Sequence, residues 1–188
     1  MEILRIEELL ETLRTGGIIL HPNDTVWGLA CNAFNEASVE RLRQIKKRPV
    51  KKPFILLASS LEMVRRYVTY IHPRLETLLQ YHQRPLTVIY EQVCDLPEYL
   101  LTAEKTAAIR VSLDPFTQSL INKLGNPLIS TSANFTAEPY PQRFEDIHKD
   151  IIHQVDAVYQ GIHRSATENQ PSVIVRFTRK GDFIFLRE

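Results

Sequence analysis

The sequence predicts one α/β domain with a mixed β-sheet, and two observations support that prediction. Segments with helical spacing alternate with short apolar segments, and the last two apolar segments follow each other as a hairpin. The chain has 188 residues, of which 44% are hydrophobic and 24% are charged. This length and composition are typical of one globular domain, here residues 1–188, and they exclude collagen, coiled-coil and disordered chains.

The balance of charges limits the kind of partner. The chain has 23 Lys and Arg residues against 22 Asp and Glu residues, which gives a net charge of +1. A protein whose whole surface coats nucleic acid or an anionic membrane carries a larger positive charge. Any anion site is therefore expected to be local.

Cysteine usage and apolar runs predict the compartment. Cys31 and Cys94 are the two cysteines and form no CxxC pair, so neither a disulfide framework nor a cysteine zinc site is expected. The first residues do not resemble a targeting sequence, and the apolar runs fall short of membrane-spanning length. These features predict a cytoplasmic protein without membrane contact.

Helix positions follow from apolar spacing and capping residues. Ile6, Leu9, Leu10 and Leu13 lie at i, i+3, i+4 and i+7, and they predict a covering helix that ends at residues 16–17 (Gly-Gly). Later helices are predicted to begin at four further positions: Asn35, Ser59 with Glu62 at capping-box spacing, Pro73, and Asp114 with its end at Gly125.

Short apolar segments predict the strands. They cover residues 18–20, 54–57, 86–90, 107–111, 128–130, 173–177 and 183–186, of which the last two form the expected hairpin. Residues 21–29 are expected to form a polar loop with Trp27 packed in the core. Residues 135–170 are rich in Pro, His, Asn and Gln and form the least regular region.

A basic segment is the clearest candidate for chemistry. Residues 41–61 contain seven Lys and Arg residues and no acidic residue. Helix-end cations explain the first two, but the others surround two prolines directly before a strand, where α/β proteins tend to place ligands. The glycine spacing fits neither GxGxxG nor the P-loop. We therefore expect side chains to hold phosphate, and Lys46, Arg48 and Lys52 are the candidates.

Two further features are weaker on their own. Arg110 interrupts an apolar strand, and a buried arginine needs an anionic partner, which is either a ligand or an acidic residue of the chain. Residues 130–134 (Ser-Thr-Ser-Ala-Asn) cluster three hydroxyls and an amide after a strand. Taken alone, that cluster is typical of a turn or a helix cap.

Other chemistries lack support in the sequence. The histidines are scattered and predict no metal site built by the protein. A serine-hydrolase GxSxG sequence is absent. Cys31 stands among Leu29, Ala30 and Ala33, so it is expected to be a small core residue rather than a nucleophile.

Six segments, in this order, resemble the YrdC-type L-threonylcarbamoyladenylate synthase family. They are residues 16–29 (family GG...PT(D/E)TVYGL), 46–53 (KxRP...KP), 84–87 (GPxT), 108–111 (AVRxP), 132–134 (SAN) and 171–175 (PSTIV). The resemblance covers residues 16–187. Each segment alone is weak evidence for membership of the family, whereas six segments in the family's order are specific evidence.

The resemblance implies a fold and a reaction. The fold is a twisted mixed sheet with flanking helices around an electropositive cavity. The reaction condenses L-threonine, bicarbonate or CO2, and ATP into threonylcarbamoyl-AMP and releases pyrophosphate, with Mg²⁺ expected on the ATP and no protein ligands assigned to it. The implied partners are proteins that transfer the threonylcarbamoyl group to tRNA, with weak or indirect tRNA contact by this chain.

The resemblance also assigns site residues. Those matching the family's catalytic tetrad are Lys46, Arg48, Ser132 and Asn134. Those expected to hold threonine are Thr25, Arg110, Ser130 and Ser172, with Arg110 receiving the α-carboxylate. Those expected to hold ATP are Arg48, Lys52, Thr106, Ser132, Tyr140 and Arg187. Such groups suit a carbamate attacking an α-phosphate, which needs its negative charges neutralised and its atoms aligned.

The chain departs from the family pattern at several positions. Asn23 replaces the usual Thr, Trp27 replaces Tyr, Asn32 replaces Asp, Arg84 replaces Gly, and residues 137–138 (Ala-Glu) stand where Gly is usual. These changes bear on the shape of the cavity and leave the Lys/Arg and SAN elements intact.

Two other interpretations compete with this one. A non-catalytic module for double-stranded RNA or tRNA would use the same basic segment, but the near-zero net charge and the lack of a basic stripe with interleaved aromatic residues count against it. A carbamoyl-adenylate domain of the hydrogenase-maturation type normally lies inside a much longer chain.

Overall fold

The computed structural model describes residues 6–50, 52–159, 170–178 and 181–187. Within them a sheet of nine strands runs in the order β7-β1-β2-β6-β3-β5-β4-β8-β9. The strands are β1 Ile19–His21, β2 Gly28–Asn32, β3 Ile55–Ala58, β4 Leu86–Tyr90, β5 Ala107–Val111, β6 Leu128–Ser132, β7 Ala157–Val158, β8 Val173–Phe177 and β9 Phe183–Arg187. The pairs β1/β7, β3/β5 and β4/β8 are parallel and the other pairs antiparallel, which confirms the predicted mixed sheet.

Helices flank this sheet, as predicted. They are α1 Ile6–Arg14, α2 Glu36–Ile45, α3 Leu61–Val64, α4 Pro73–Tyr81, α5 Pro115–Leu124 and α6 Lys149–Ile152. In the part of the chain that the structure describes, every helix is too short or too polar to cross a membrane. The apolar positions that predicted α1 are its buried face, since Leu9, Leu10 and Leu13 are all buried.

Several helix ends follow from single residues, as the sequence predicted. The Asn35 side chain accepts a hydrogen bond from Ser38 N at 3.0 Å and begins α2. Asp114 Oδ2 accepts from Thr117 N at 2.8 Å and begins α5. That helix ends at Gly125, whose φ of 83° lies in the left-handed region that glycine adopts most readily.

The structure corrects two predictions of local structure. The predicted polar loop over residues 21–29 is shorter, because Gly28 already belongs to β2, a strand that the sequence analysis missed. Four of the five residues of β2 are buried, so it lacks the alternation that marks a half-exposed strand. The N-cap of α3 is Ser60 rather than Ser59, since Ser60 Oγ accepts from Met63 N at 3.2 Å.

The core forms between the sheet and the helices and includes two residues that were predicted to lie there. Trp27 and Cys31 are both buried. Burial raises the pKa of the Cys31 thiol to about 12, so the thiolate that a nucleophilic cysteine needs is strongly disfavoured. Cys31 and Cys94 are both free thiols, as expected.

Candidate functional site

A cavity of about 480 Å³ lies against one face of the central sheet. Strand register explains its position: Ile55 of β3 is paired with Ala108 of β5 and with Ser130 of β6, and side chains of paired residues point to the same face. All three residues line the cavity. Leu56 and Ile109, one position along, are buried in the core. The alternation along each strand therefore separates the cavity from the core.

Most of the residues that the resemblance assigned to a site line this one cavity. Among the predicted threonine-binding residues these are Thr25, Arg110, Ser130 and Ser172. Among the predicted ATP-binding and tetrad residues these are Arg48, Ser132, Asn134, Tyr140 and Arg187. The structure thus brings together residues that are spread from position 25 to position 187.

Arg110 has an internal acidic partner. Its Nη1 atom lies 2.6 Å from Asp24 Oδ1, and the two side chains are 4% and 6% exposed. Asp24 Oδ2 accepts a second hydrogen bond, from Leu113 N at 2.8 Å. Arg110 Nε is buried without a hydrogen-bond partner. The sequence left two kinds of anionic partner open for Arg110, a ligand or an acidic residue of the chain. The structure shows the acidic residue, Asp24, and it leaves one donor of Arg110 without an acceptor.

Ser172 and Arg187 form another part of the cavity wall. Arg187 donates from Nε to Ser172 O at 2.8 Å and from Nη2 to Ser172 Oγ at 3.1 Å. The Ser172 hydroxyl also lies 2.7 Å from Thr87 Oγ1 on β4. Burial and the nearby Arg110 lower the pKa of Arg187, because both disfavour the charged form. A bound anion would relieve this repulsion.

Arg48 is held at the cavity by its own loop. Nε donates to Lys52 O at 3.2 Å, Nη2 donates to Pro53 O at 2.7 Å, and the guanidinium lies 4.8 Å from the centre of the Phe54 ring. Burial and Arg43 lower the pKa of Arg48. Arg43 shapes the same loop through Nη1, which donates to Pro49 O, Val50 O and Lys52 O.

Lys46 lies behind the cavity wall and is 2% exposed. Its Nζ atom donates to Asn134 O at 2.6 Å, to Asn134 Oδ1 at 3.3 Å and to Ser132 O. Burial, followed by the charge of Arg48, lowers the pKa of this ammonium to about 7. Lys46 is therefore positioned to hold the Ser132–Asn134 segment in place.

Two predicted ATP-binding residues lie outside the described lining of the cavity. Lys52 is exposed and takes part in the loop through its carbonyl oxygen, which accepts from Arg43 and Arg48. Thr106 is buried and its hydroxyl lies 2.9 Å from Thr102 Oγ1. The structure does not bring these two side chains to the cavity that holds the others.

Three residues at or beneath the cavity received no role in the sequence analysis. Asn23 lines the cavity and donates from Nδ2 to Ser130 Oγ at 3.1 Å. Glu138 also lines it, and its carbonyl oxygen accepts from Asn134 Nδ2 at 2.6 Å. Asp24 is the partner of Arg110. The sequence indicated that Arg110 needs an anionic partner, but nothing in it singles out Asp24 among the 22 acidic residues.

His21 is a buried titratable group next to the Asp24–Arg110 pair. It is fully buried, and both ring nitrogens lack hydrogen-bond partners. Burial lowers its pKa below the ordinary 6.5 and outweighs Asp114 and Asp24, which raise it. A neutral imidazole is therefore part of the folded state.

This burial predicts acid sensitivity of the fold. Below the ordinary pKa of 6.5 the unfolded state takes up a proton that the folded His21 resists, so stability falls as pH drops from there. We expect His21→Leu to lose less stability than the wild type between pH 7.5 and pH 5, as measured by urea unfolding. At pH 7.5 it should be equal to or more stable than the wild type by up to about 1–3 kcal/mol, because two unpaired polar atoms are removed. Equal pH slopes in both proteins would contradict this explanation.

The cavity and its walls define a class of protein. Among the described lining residues, the charged groups are three guanidinium groups and one carboxylate, and the remaining polar walls consist mainly of hydroxyls and amides. Its volume falls within the range of small-molecule sites, about 300–1,000 Å³. The fold is that of an α/β protein, and the composition of this cavity suits an anionic small molecule held by side chains rather than by a glycine-rich loop.

The chain belongs to the Sua5/YciO/YrdC family. The model of that family, described as telomere recombination, matches residues 11–188. A threonylcarbamoyl-AMP synthase of Xanthomonas euvesicatoria is 32% identical over 186 residues, covering 97% of this chain and 98% of that protein. A threonylcarbamoyl-AMP synthase of Vibrio campbellii is 31% identical over 171 residues, covering 89% of this chain and 91% of that protein.

Solved structures show the same fold. Escherichia coli YciO matches with a TM-score of 0.83 and 26% identity, over 97% of this chain and 88% of that one. Pyrococcus abyssi Sua5 complexed with L-threonine matches with a TM-score of 0.86 and 24% identity, over 97% of this chain. This chain spans 53% of the length of that Sua5 protein.

Proposed function

We propose that this chain is a threonylcarbamoyl-AMP synthase, which forms threonylcarbamoyl-AMP and pyrophosphate from L-threonine, bicarbonate or CO2, and ATP. The observation that carries the proposal is the cavity that brings three guanidinium groups together with serine, threonine and asparagine side chains in one wall. The relatives that match nearly the whole chain carry the name of this activity. The composition of the cavity and the names of the relatives are both consistent with substrates that carry carboxylate and phosphate groups.

The threonine end of the cavity is proposed to lie at Arg110. Its buried Nε has no hydrogen-bond partner, and a guanidinium matches a carboxylate in shape and charge. Ser130, Ser172 and Thr25 line the same cavity and offer hydroxyls to the rest of the amino acid. We assign the α-carboxylate to Arg110 and the remaining polar groups of threonine to these hydroxyls.

The ATP end is proposed to lie at the loop that carries Arg48. The guanidinium is fixed by two carbonyl oxygens and the Phe54 ring, so it is oriented before the phosphates arrive. Ser132, Asn134, Tyr140 and Arg187 line the adjoining wall. We keep Lys52 and Thr106 as proposed ATP contacts that would require their side chains to turn towards the cavity.

Magnesium is proposed to enter with ATP. Within the described ranges, His, Cys, Asp and Glu side chains form no group of three or more that could hold a metal ion. Magnesium commonly keeps water and phosphate oxygens as ligands, and this suits a cavity whose own walls offer mainly donors. The ion would neutralise part of the triphosphate charge.

The proposed reaction needs no protein nucleophile. The neutral threonine amine attacks CO2, forms the N–C bond and releases one proton to water, which gives a carbamate. A carbamate oxygen then attacks the α-phosphorus, and the bond to the leaving pyrophosphate breaks. Both reacting groups are anionic, so the guanidinium groups of Arg48, Arg110 and Arg187 would reduce their repulsion and hold them in line. The catalytic role of this chain is therefore positioning and charge neutralisation.

Transfer proteins and tRNA are proposed as downstream partners. The adenylate is a mixed anhydride that hydrolyses in water, so a protein that accepts its threonylcarbamoyl group would protect the product. The competing role, a non-catalytic RNA module, would need phosphate contacts along an exposed surface. Arg48 and Arg110 instead line a concave cavity rather than an exposed stripe.

The activity test separates the two functions. The protein with ATP, Mg²⁺, bicarbonate and threonine, and without tRNA, is expected to release pyrophosphate only when threonine is present and to form the adenylate detected by mass spectrometry. RNA binding, measured by filter retention at rising salt, is expected to be weak and strongly salt-dependent. Tight salt-resistant RNA binding without adenylate would favour the RNA module instead.

A further inference from the structure

A buried polar network lies beneath the proposed threonine end of the cavity. Asp24 uses both carboxylate oxygens, accepting from Arg110 Nη1 at 2.6 Å and from Leu113 N at 2.8 Å. Asp24 and Arg110 are 8% and 4% exposed. Because the Leu113 contact ties Asp24 to the backbone after β5, the carboxylate has a defined orientation and gives Arg110 a fixed partner.

This contact sets the plane of the guanidinium. A guanidinium is planar and carries its donors in a rigid fork, so fixing Nη1 also limits where Nε and Nη2 point. Arg110 lines the cavity, whereas Asp24 does not. Nε is left buried and unpartnered. No acceptor in the described part of the chain pairs with Nε, and Arg110 belongs to the cavity wall, so an anion bound in the cavity is the remaining candidate partner for this guanidinium.

The neighbouring residue orients a second donor. Asn23 Oδ1 accepts from Asp24 N at 2.8 Å, and Asn23 Nδ2 donates to Ser130 Oγ at 3.1 Å. Since Ser130 Oγ accepts this hydrogen bond, its own proton remains to be donated. Ser130 lines the cavity with Arg110. Residues 23–24 thus contact Ser130 and Arg110, two donors in the wall of one cavity.

We propose that Asp24 is a positioning residue for threonine, acting through Arg110 and without contact with the ligand. The inference rests on the proposed function, because it assigns the unused donors of Arg110 to the threonine carboxylate. Two effects of Asp24 oppose each other: it orients Arg110, and its negative charge repels a second carboxylate. Orientation dominates, since a bidentate contact depends steeply on geometry.

The test is Asp24→Asn, which keeps the size of the side chain and removes its charge. In the wild type Arg110 Nη1 and Leu113 N donate to different oxygens of Asp24. Asparagine replaces one of these oxygens with an NH2 group, so one of the two donors then faces a donor instead of an acceptor. We expect the KM for threonine to rise about tenfold or more, the scale of one charge-assisted contact. The KM for ATP is expected to change less than about twofold, because the substitution weakens the binding of threonine and leaves the residues proposed to bind ATP unchanged.

Asp114→Ala is the control for destabilisation. The carboxylate of Asp114 accepts from Thr117 N and Thr117 Oγ1 at the start of α5. Alanine removes both contacts and lowers the melting temperature through the helix cap. Its effect on the KM for threonine is expected to be small. A threonine-specific change in Asp24→Asn, at a similar or smaller loss of melting temperature, separates positioning from general destabilisation.

A double variant tests the route through Arg110. In an Arg110→Lys background, adding Asp24→Asn is expected to change the KM for threonine by less than about twofold, because the group that Asp24 orients is already gone. If Asp24→Asn does not fold, Asp24→Glu keeps the charge and moves it by one methylene, and its KM for threonine is expected to rise as well.

Several results would overturn the inference. They are a KM for threonine that is unchanged or lower in Asp24→Asn, equal rises for threonine and ATP, or fully additive effects in the double variant. Calorimetric titration with threonine needs no turnover and answers the same question. A wild-type protein that binds threonine without forming adenylate would count against the proposed function alone, and threonine affinity would still decide the role of Asp24.

Discussion

Lys46→Met is expected to lower the rate of adenylate formation at least about 100-fold, the scale seen when a fixed charged donor is removed from an active site. The buried ammonium donates to Ser132 O, Asn134 O and Asn134 Oδ1. Methionine fills the same space but supplies no donor, so Ser132 O and Asn134 O lose the ammonium, while Asn134 Oδ1 keeps only the Ser132 hydroxyl. The wall formed by Ser132 and Asn134 is therefore expected to shift. Steady-state pyrophosphate release measures the rate.

The same ammonium predicts how ATP affinity depends on pH. Its pKa is lowered to about 7, so in the empty protein it loses its proton as pH rises above 7. Bound phosphates favour the charged form, and ATP binding above pH 7 is therefore expected to take up a proton. ATP affinity should accordingly fall with rising pH. Calorimetry at pH 8 in buffers of different ionisation enthalpy measures this uptake.

Lys47→Met is the control for Lys46. The Lys47 ammonium lies 4.4 Å from the centre of the Phe135 ring and its side chain is exposed, so its loss is expected to leave ATP affinity and proton uptake unchanged. Lys46→Met could instead bind ATP with the affinity of the wild type and only have a lower melting temperature. Lys46 would then stabilise the conformation of residues 132–134 and would not be part of the ATP site.

Much of the local structure was readable from the sequence because short-range chemistry determines it. Asn35 and Asp114 begin their helices through side-chain contacts three residues away, and Gly125 ends a helix by its own backbone freedom. The hairpin of β8 and β9 follows from two apolar segments and a short turn. In each case the residue and its partner lie within one segment of sequence.

The contacts that build the site are of the opposite kind. Asp24 and Arg110 are 86 residues apart, and Asn23 and Ser130 are 107 residues apart. Composition and periodicity carry no information on such pairs. Family resemblance supplied many of the polar residues that line the cavity, but not Asn23 and Glu138, and not the contacts that orient Arg110 and Ser130. The missed strand β2 has a related cause, because it is buried on both faces and its pattern is uniform.

Arg110→Lys is expected to raise the threonine requirement about tenfold or more and also to lower the melting temperature. The structure gives the arginine two tasks, since Nη1 pairs with Asp24 while Nε is left without a partner in the wall of the cavity. Lysine carries its charge at a single nitrogen on a flexible stem, so it cannot serve Asp24 and a substrate carboxylate with the same geometry.

The contact of Arg110 with Asp24 and its proposed contact with threonine are detected by different measurements. Loss of the buried contact with Asp24 destabilises the fold, because an ion pair with 4% and 6% exposed side chains leaves little access for water to replace it. Loss of the carboxylate contact raises the KM for threonine and leaves the KM for ATP nearly unchanged. A melting curve and a threonine titration on one sample of Arg110→Lys therefore separate them. A destabilised variant with the threonine dependence of the wild type would make Arg110 a structural residue, and the threonine end of the cavity would then need another residue to bind the carboxylate.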